Sequence, residues 1–237
     1  MSRFGLGRKL ASEGLGTALL LAAVVGSGIM GQRLSAGNDA VALLGNTVAT
    51  GAALVVLISI FGPISGAQFN PAVTLAFLVR RDLAVGAAAA YIAVQFVGAV
   101  AGVWAAHAMF AEPIWQVSTK LRAGPSQVFA EAVATFGLIG TILATIRFQP
   151  QFTPAAVGLY ITAAYWFTAS TSFANPAVTV ARSLSDTFAG IAPVSVPGFI
   201  LGQLIGAGVG VWFFGWLLGH KVQLLGGGGE EETVTKP

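Results

Sequence analysis

The stretch Ala67-Gln68-Phe69-Asn70-Pro71-Ala72-Val73-Thr74 has a second edition in Ser172-Phe173-Ala174-Asn175-Pro176-Ala177-Val178-Thr179. The five residues from Asn to Thr are identical in both. Asn is a strong helix N-cap, because its side-chain oxygen accepts an orphan N–H two or three residues on. Pro suits the first helical position, where no N–H partner is needed. Each copy therefore reads as the start of a helix. The apolar run after the first copy ends at Arg80-Arg81, about ten residues on. That is roughly 15 Å of helix, half of a membrane core of about 30 Å. A half-length helix that starts at a cap and ends in arginines predicts a re-entrant element. Backbone of this kind is tolerated at membrane depth only where protein or a water-lined cavity satisfies it.

Composition supports the membrane. Only 9% of the 237 residues are charged, against roughly 25% in ordinary soluble domains, and the mean hydropathy is +0.80. The 31 glycines are the kind of small residue that lets transmembrane helices approach closely. There is no cysteine, hence no disulfide, thiolate metal site or cysteine nucleophile. His107 and His220 are the two histidines, too few for a histidine-rich metal centre. No basic run suggests nucleic acid, and no nucleophile–base pair suggests an enzyme. No catalytic residue, metal or cofactor is expected. The first apolar segment is too long for a cleavable signal peptide.

Taken in order, a basic start with Arg3, Arg8 and Lys9 leads into a span over about Ala11–Gln32. Further spans are expected at Val41–Ile60, Ala84–Met109, Gln127–Phe148, Pro154–Ala169 and Pro197–Leu218. The first box and its half-helix lie after the second of these six. The second box lies after the fifth, within Ser170–Ser185. One membrane domain thus covers 1–223. The segment 224–237, with Gly226 to Gly229 and Glu230 to Glu232, reads as a flexible acidic cytoplasmic tail.

The halves match beyond the boxes. Glu13 and Thr17 correspond to Glu131 and Thr135. Gln95, Gly98, Ala99, Gly102, Val103 and Trp104 correspond to Gln203, Gly206, Ala207, Gly210, Val211 and Trp212. The chain is an internal repeat, about 8–110 and 126–220. Three spans per repeat turn the second copy upside down, and inverted repeats place solute sites near the midplane. With the N-terminus inside, Arg3, Arg8, Lys9, Arg80, Arg81, Arg147, Lys221 and Lys236 are cytoplasmic. Arg33, Lys120, Arg122 and Arg182 are outside, which obeys the positive-inside rule.

These features resemble the aquaporin, or major intrinsic protein, family. The carriers are the paired boxes, Glu-x-x-x-Thr in spans one and four, and Ser65-Gly66-Ala67 before the first box. The resemblance covers about residues 8–220. It implies an all-α membrane fold: a right-handed bundle of six transmembrane helices plus two re-entrant half-helices, with one pore per subunit and usually four subunits. It implies a multi-pass protein of the bacterial inner (plasma) membrane with both termini cytoplasmic.

Pore chemistry follows from the boxes Asn70-Pro71-Ala72 and Asn175-Pro176-Ala177. With the Asn oxygens capping, each side-chain NH2 is expected free to donate to a passing oxygen. Two helix N-termini at the midplane repel cations. The carbonyls of 66–69 and 172–174 are expected to line the pore. Glu13 and Glu131 have two readings, a proton relay or anchors for the loop backbone, and the resemblance favours anchors. The Gln/Gly/Ala/Gly/Trp repeats read as helix packing, His107 as an interfacial residue, and the tryptophans as core or interface belts.

Four positions matched to the family's outer constriction by distance from the boxes are Thr50, Ala163, Ser172 and Val178. Most relatives carry Arg where Val178 stands, so the neck is expected to be wide and uncharged. Arg182 lies one turn beyond Val178 on roughly the same face; it either reaches back toward the pore mouth or bonds loop carbonyls. Gln68 replaces a histidine common in the first loop. The run from Asn175 through Val178 and Arg182 to Asp186 resembles bacterial channels associated with arsenic resistance. That resemblance implies passage of arsenite, antimonite and methylated arsenicals. A general glycerol/water channel and a proton-coupled transporter using Glu13 and Glu131 are the alternatives.

Overall fold

The computed structural model describes residues 4–219. The expected tail, His220, and the Arg3, Lys221 and Lys236 of the charge count lie outside the described residues. Eight α-helices follow in order: α1 Leu6–Leu34, α2 Asp39–Ser65, α3 Pro71–Val79, α4 Val85–Phe110, α5 Pro125–Phe148, α6 Thr153–Phe167, α7 Pro176–Arg182 and α8 Val196–Leu217. No strand occurs among the described residues. Helices α1, α2, α4, α5 and α8 are long and apolar enough to cross a membrane. Helix α6 has 15 residues, about 22 Å, preceded by a 3-10 turn at Pro150–Phe152. It is the shortest of the six expected spans.

The caps are where the sequence puts them. Asn38 accepts from the N–H groups of Ala40 and Val41 and starts α2. Gly66, in the left-handed region at φ 93°, ends it. Asn70 and Asn175 accept from Ala72 N and Ala177 N to start the half-helices, with Pro71 and Pro176 next.

Packing repeats in the two halves. Helix α1 lies against α4 as α5 lies against α8. A Cβ on Gly98 would meet the Gly14 carbonyl, and one on Gly102 the Ala18 carbonyl. The matching Gly206 faces the Ala132 carbonyl. Nothing larger than hydrogen fits at these crossings, so the backbones are in contact. Between the halves, Gly51 of α2 faces the Gly158 carbonyl of α6, and Gly158 faces the Gly51 carbonyl. Each glycine lets the other helix's backbone come close where the two halves meet.

At one end of the bundle the 111–124 segment is sewn to the 183–192 segment. Ser118 N donates to Ser183 O at 2.9 Å and Ala192 N to Lys120 O at 2.7 Å. Thr119 N donates to Asp186 Oδ1 at 2.8 Å. His107 takes part: its Nε2 pairs with Ser185 Oγ at 2.9 Å and its Nδ1 with Ile114 O at 3.1 Å. It is fully buried, which corrects the expectation of an interfacial side chain. Both ring nitrogens have polar partners inside the protein, so the ring needs no water. Trp115, Trp166, Trp212 and Trp216 are exposed on the outside of the bundle.

Candidate functional site: an internal passage between two half-helices

Two irregular segments, 66–70 and 168–175, bring the half-helices to the centre of the bundle. Non-glycine residues rarely adopt positive φ. Of eight that do so among the described residues, Ala67, Phe69, Thr171, Ser172 and Ala174 lie in these two segments. Such residues cost of order 1–3 kcal/mol each and persist only when their surroundings hold them.

Glu13 and Glu131 do the holding. Gln68 N donates to Glu13 Oε1 at 2.9 Å and Phe69 N to Oε2 at 2.7 Å. Phe173 N and Ala174 N donate to Glu131 Oε1 and Oε2, each at 2.8 Å. Ser65 Oγ donates to Glu13 at 2.7 Å and also accepts from Ala67 N. Ser170 Oγ accepts from Ser172 N as Ser65 Oγ does from Ala67 N. Both carboxylates are fully buried, and a buried charge requires this many donors.

Gln95 and Gln203 complete the two clusters. Gln95 Nε2 donates to Glu13 Oε2 at 2.9 Å and to Thr74 Oγ1 at 3.0 Å. Gln203 Nε2 donates to Glu131 Oε2 and to Thr179 Oγ1 at 2.8 Å. The glycines of that repeated motif pack helices, as expected. The glutamines instead tie each carboxylate to the first turn of a half-helix, which corrects their reading as packing.

The box asparagines are linked crosswise. Asn70 Nδ2 donates to Ala174 O at 2.7 Å, and Asn175 Nδ2 donates to Phe69 O at 2.8 Å. Each NH2 was expected to be wholly free; one N–H of each is committed to the opposite loop, and one remains. By the same token the Phe69 and Ala174 carbonyls are occupied acceptors. Pro71, Ala72, Pro176 and Ala177 are buried behind the asparagines.

A cavity of about 100 Å³ runs beside these residues, enough for several water-sized molecules. Phe77, Ile146 and Thr153 line one end; Thr50, Tyr165, Ser172, Val178 and Arg182 line the other, with Gln68, Asn70 and Asn175 between them. Neither Glu13 nor Glu131 is among the lining residues. The rest of the wall is mostly aliphatic, from Leu20 and Val24 to Ile161.

Four lining residues carry a buried polar atom without a partner: Gln68 Oε1, Thr153 Oγ1, Ser172 Oγ and Arg182 Nη1. Buried polar atoms are nearly always paired. Here all four line one cavity, open to a partner that enters from outside the protein.

Two expectations about the outer end need correction. Ala163 is exposed, on the far side of α6 from the cavity. At about 100° per residue, Ile161 and Tyr165 share a face and Ala163 lies almost opposite. Counting back from the second box fails because the count crosses the left-handed loop. Tyr165 lines the cavity there instead, and its hydroxyl donates to Thr50 Oγ1 at 3.4 Å. Nor is this end of the cavity uncharged. Arg182 lines it, only 2% exposed, with its guanidinium over the Phe173 ring at 3.4 Å. Its Nε donates to Ala189 O. Both readings of Arg182 thus hold at once: one edge bonds a loop carbonyl and another faces the passage. Arg122 stands on the same ring at 5.2 Å and donates to Gly190 O at 3.0 Å. Burial holds the Arg122 guanidinium below its ordinary pKa.

The chain matches the family model described as "Major intrinsic protein" over residues 1–214. It is 56% identical to "Aquaglyceroporin AqpS" of Rhizobium meliloti (strain 1021), across 92% of this chain and 93% of that protein. It is 32% identical to "Aquaporin NIP2-2" of Zea mays, across 90% of this chain and 72% of that one. The solved aquaglyceroporin of Plasmodium falciparum shares the fold, with a TM-score of 0.70 at 20% identity, covering 92% of this chain and 99% of that chain.

Proposed function

The chain belongs to the major intrinsic protein family, and from that premise we propose a passive channel of the glycerol/water type, biased towards arsenite, antimonite and methylated arsenicals. The single observation that carries the channel reading is the passage itself. It runs between two half-helices, is mostly aliphatic, and has unpartnered polar atoms placed along it. Such a wall suits small uncharged molecules that form two or three hydrogen bonds. Undissociated arsenite is a neutral trihydroxy molecule and resembles glycerol in this respect.

The bias towards metalloids rests on Val178. It is buried and lines the outer end, where most relatives carry arginine. Its isopropyl group leaves room for a methyl-bearing solute that a guanidinium would obstruct. In this reading Asn70 and Asn175 orient the solute with their remaining N–H groups. Thr50, Ser172 and Val178 set the size limit, with Tyr165 in the role first given to Ala163. The homotetramer, the inner membrane and the cytoplasmic termini belong to the same proposal, supported by the family and by the charge distribution. The proton-coupled alternative is disfavoured because Glu13 and Glu131 lie behind the loops and are saturated with donors.

The test is stopped-flow swelling of proteoliposomes in glycerol and arsenite, with osmotic water flow as reference. Arsenite and glycerol flux well above that of empty vesicles is the expected result. Val178→Arg should lower both by at least about tenfold at equal expression. Unchanged arsenite flux in that variant would sink the proposed filter, and no solute flux in the wild type would sink the channel reading.

A further inference from the structure

Resting on the channel reading, we propose that Arg182 is the specificity-determining cation of the outer passage, offering Nη1 to the oxygen of a passing uncharged hydroxyl solute and excluding cations by its charge. Val178 leaves the position after the second box without a donor. Arg182 is four residues on, and residues at that spacing share a helix face. Both side chains line the passage.

The guanidinium is held by two contacts. Its Cζ sits over the Phe173 ring, and Ala189 O accepts from Nε. Nη1 has no partner, although the side chain is 98% buried by its exposure of 2%. A charged donor left open in such a place loses more than a neutral one. Its natural complement is an oxygen that enters and leaves. Ser172 Oγ, also buried and without a partner, lines the same end and supplies a second contact. A hydroxyl solute that accepts from Nη1 and donates to Ser172 Oγ satisfies both atoms. A cation cannot accept from Nη1 and meets a positive charge there, with Arg122 a second one near the same Phe173 ring.

Two substitutions separate this role from a structural one, because of where their atoms fall. In Arg182→Gln the amide nitrogen occupies the chain position of Nε and keeps the bond to Ala189 O, while Cζ and both Nη atoms are lost. In Arg182→Lys the ammonium occupies the position of Cζ and keeps the charge, while the Nε bond is lost. The readout is sodium leakage into proteoliposomes, relative to glycerol flux in the same vesicles. A unit charge a few ångströms from the path contributes enough that its removal should change cation passage by tenfold or more.

Arg182→Gln should therefore raise the sodium-to-glycerol ratio at least about tenfold, and Arg182→Lys should leave it near the wild-type value. Three results would overturn the proposal: wild-type ratios in both variants, leakage in Arg182→Lys alone, or equal leakage in both. If Arg182→Gln does not assemble, Arg182→Met, uncharged and of similar length, takes its place with the same expected rise and the same overturning results. Glycerol flux in the wild type is measured beside these, so a failed channel reading is distinguishable from a misplaced filter.

Discussion

Replacing Glu131 by Gln removes one charge and keeps the shape of the side chain. In the wild type, Oε1 accepts from Phe173 N, and Oε2 accepts from Ala174 N and Gln203 Nε2. An amide has one acceptor oxygen. Whichever way it turns, its NH2 faces at least one N–H donor, and that donor is orphaned. A buried orphan costs about 1–3 kcal/mol, and the surviving bonds fall from about 1.5–3 kcal/mol each towards 0.5–1.5. The left-handed residues Thr171, Ser172 and Ala174 then lose the group that holds them, and their relaxation recovers part of the loss. A net cost of about 2–5 kcal/mol follows. For a chain of this size that corresponds to a fall of roughly 4–20 °C in unfolding midpoint. The loop that relaxes is also the wall of the passage, so glycerol flux should fall in parallel. Glu13→Gln should behave alike, since Gln68 N and Phe69 N are held in the same manner. The assay is thermal unfolding in detergent, paired with stopped-flow swelling of vesicles. Wild-type midpoint and flux in Glu131→Gln would refute the anchoring argument. An unchanged midpoint with loss of uptake driven by a proton gradient would restore the relay reading.

Two further outcomes follow from geometry already described. Gly98→Val drives its Cβ into the Gly14 carbonyl and should destabilise by about 1–3 kcal/mol or more, read as a lower unfolding midpoint; an unchanged midpoint would mean that α1 and α4 are not in backbone contact. Lys120 has its amine pushed down to about 8 by burial, and then by Arg122 and Arg182, so the folded protein gives up this proton before the unfolded chain does. Between about pH 8 and the ordinary 10.5 the folded state holds one proton fewer, and stability rises with pH across that window. Amine-reactive labelling of Lys120, followed by mass spectrometry, should show a midpoint near pH 8, and a midpoint at the ordinary lysine value would refute the crowding of positive charge at this end.

Much of the centre was legible because the repeat doubled every signal. An Asn-Pro pair in a loop is usually a turn; two at corresponding places, each before a half-length apolar run, leave little choice. Glu13 and Glu131 left two readings open, relay or anchor, and the family resemblance favoured the anchor. What was not readable involved partners far away in the chain. The second duty of the Asn70 amide is a carbonyl 104 residues on, and His107 finds Ser185 across 78 residues. No local pattern announces either. Ala163 was misassigned because helical phase cannot be carried through residues 168–174, several of which are left-handed. For Gln95 and Gln203 a signal did exist: a long polar side chain in an apolar span, at matching places in both halves, needs a buried partner. Arg182 was half legible, since its spacing from Val178 gave the face but not the ring of Phe173 beneath it.

The crosswise donation between Asn70 and Asn175 also bears on how the chain is made. The first repeat can emerge, insert its helices and cap α3 by itself. The Phe69 carbonyl and the Asn70 amide must then wait for residues 174 and 175. At synthesis rates of about 5–20 residues per second, that wait lasts roughly 5–20 s. During it the half-built protein has a polar centre facing lipid or a neighbour, with no opposite loop to close it. A premature stop anywhere before the second box leaves that centre open, so truncated chains should be ready clients for membrane quality control, whatever the stability of their individual helices.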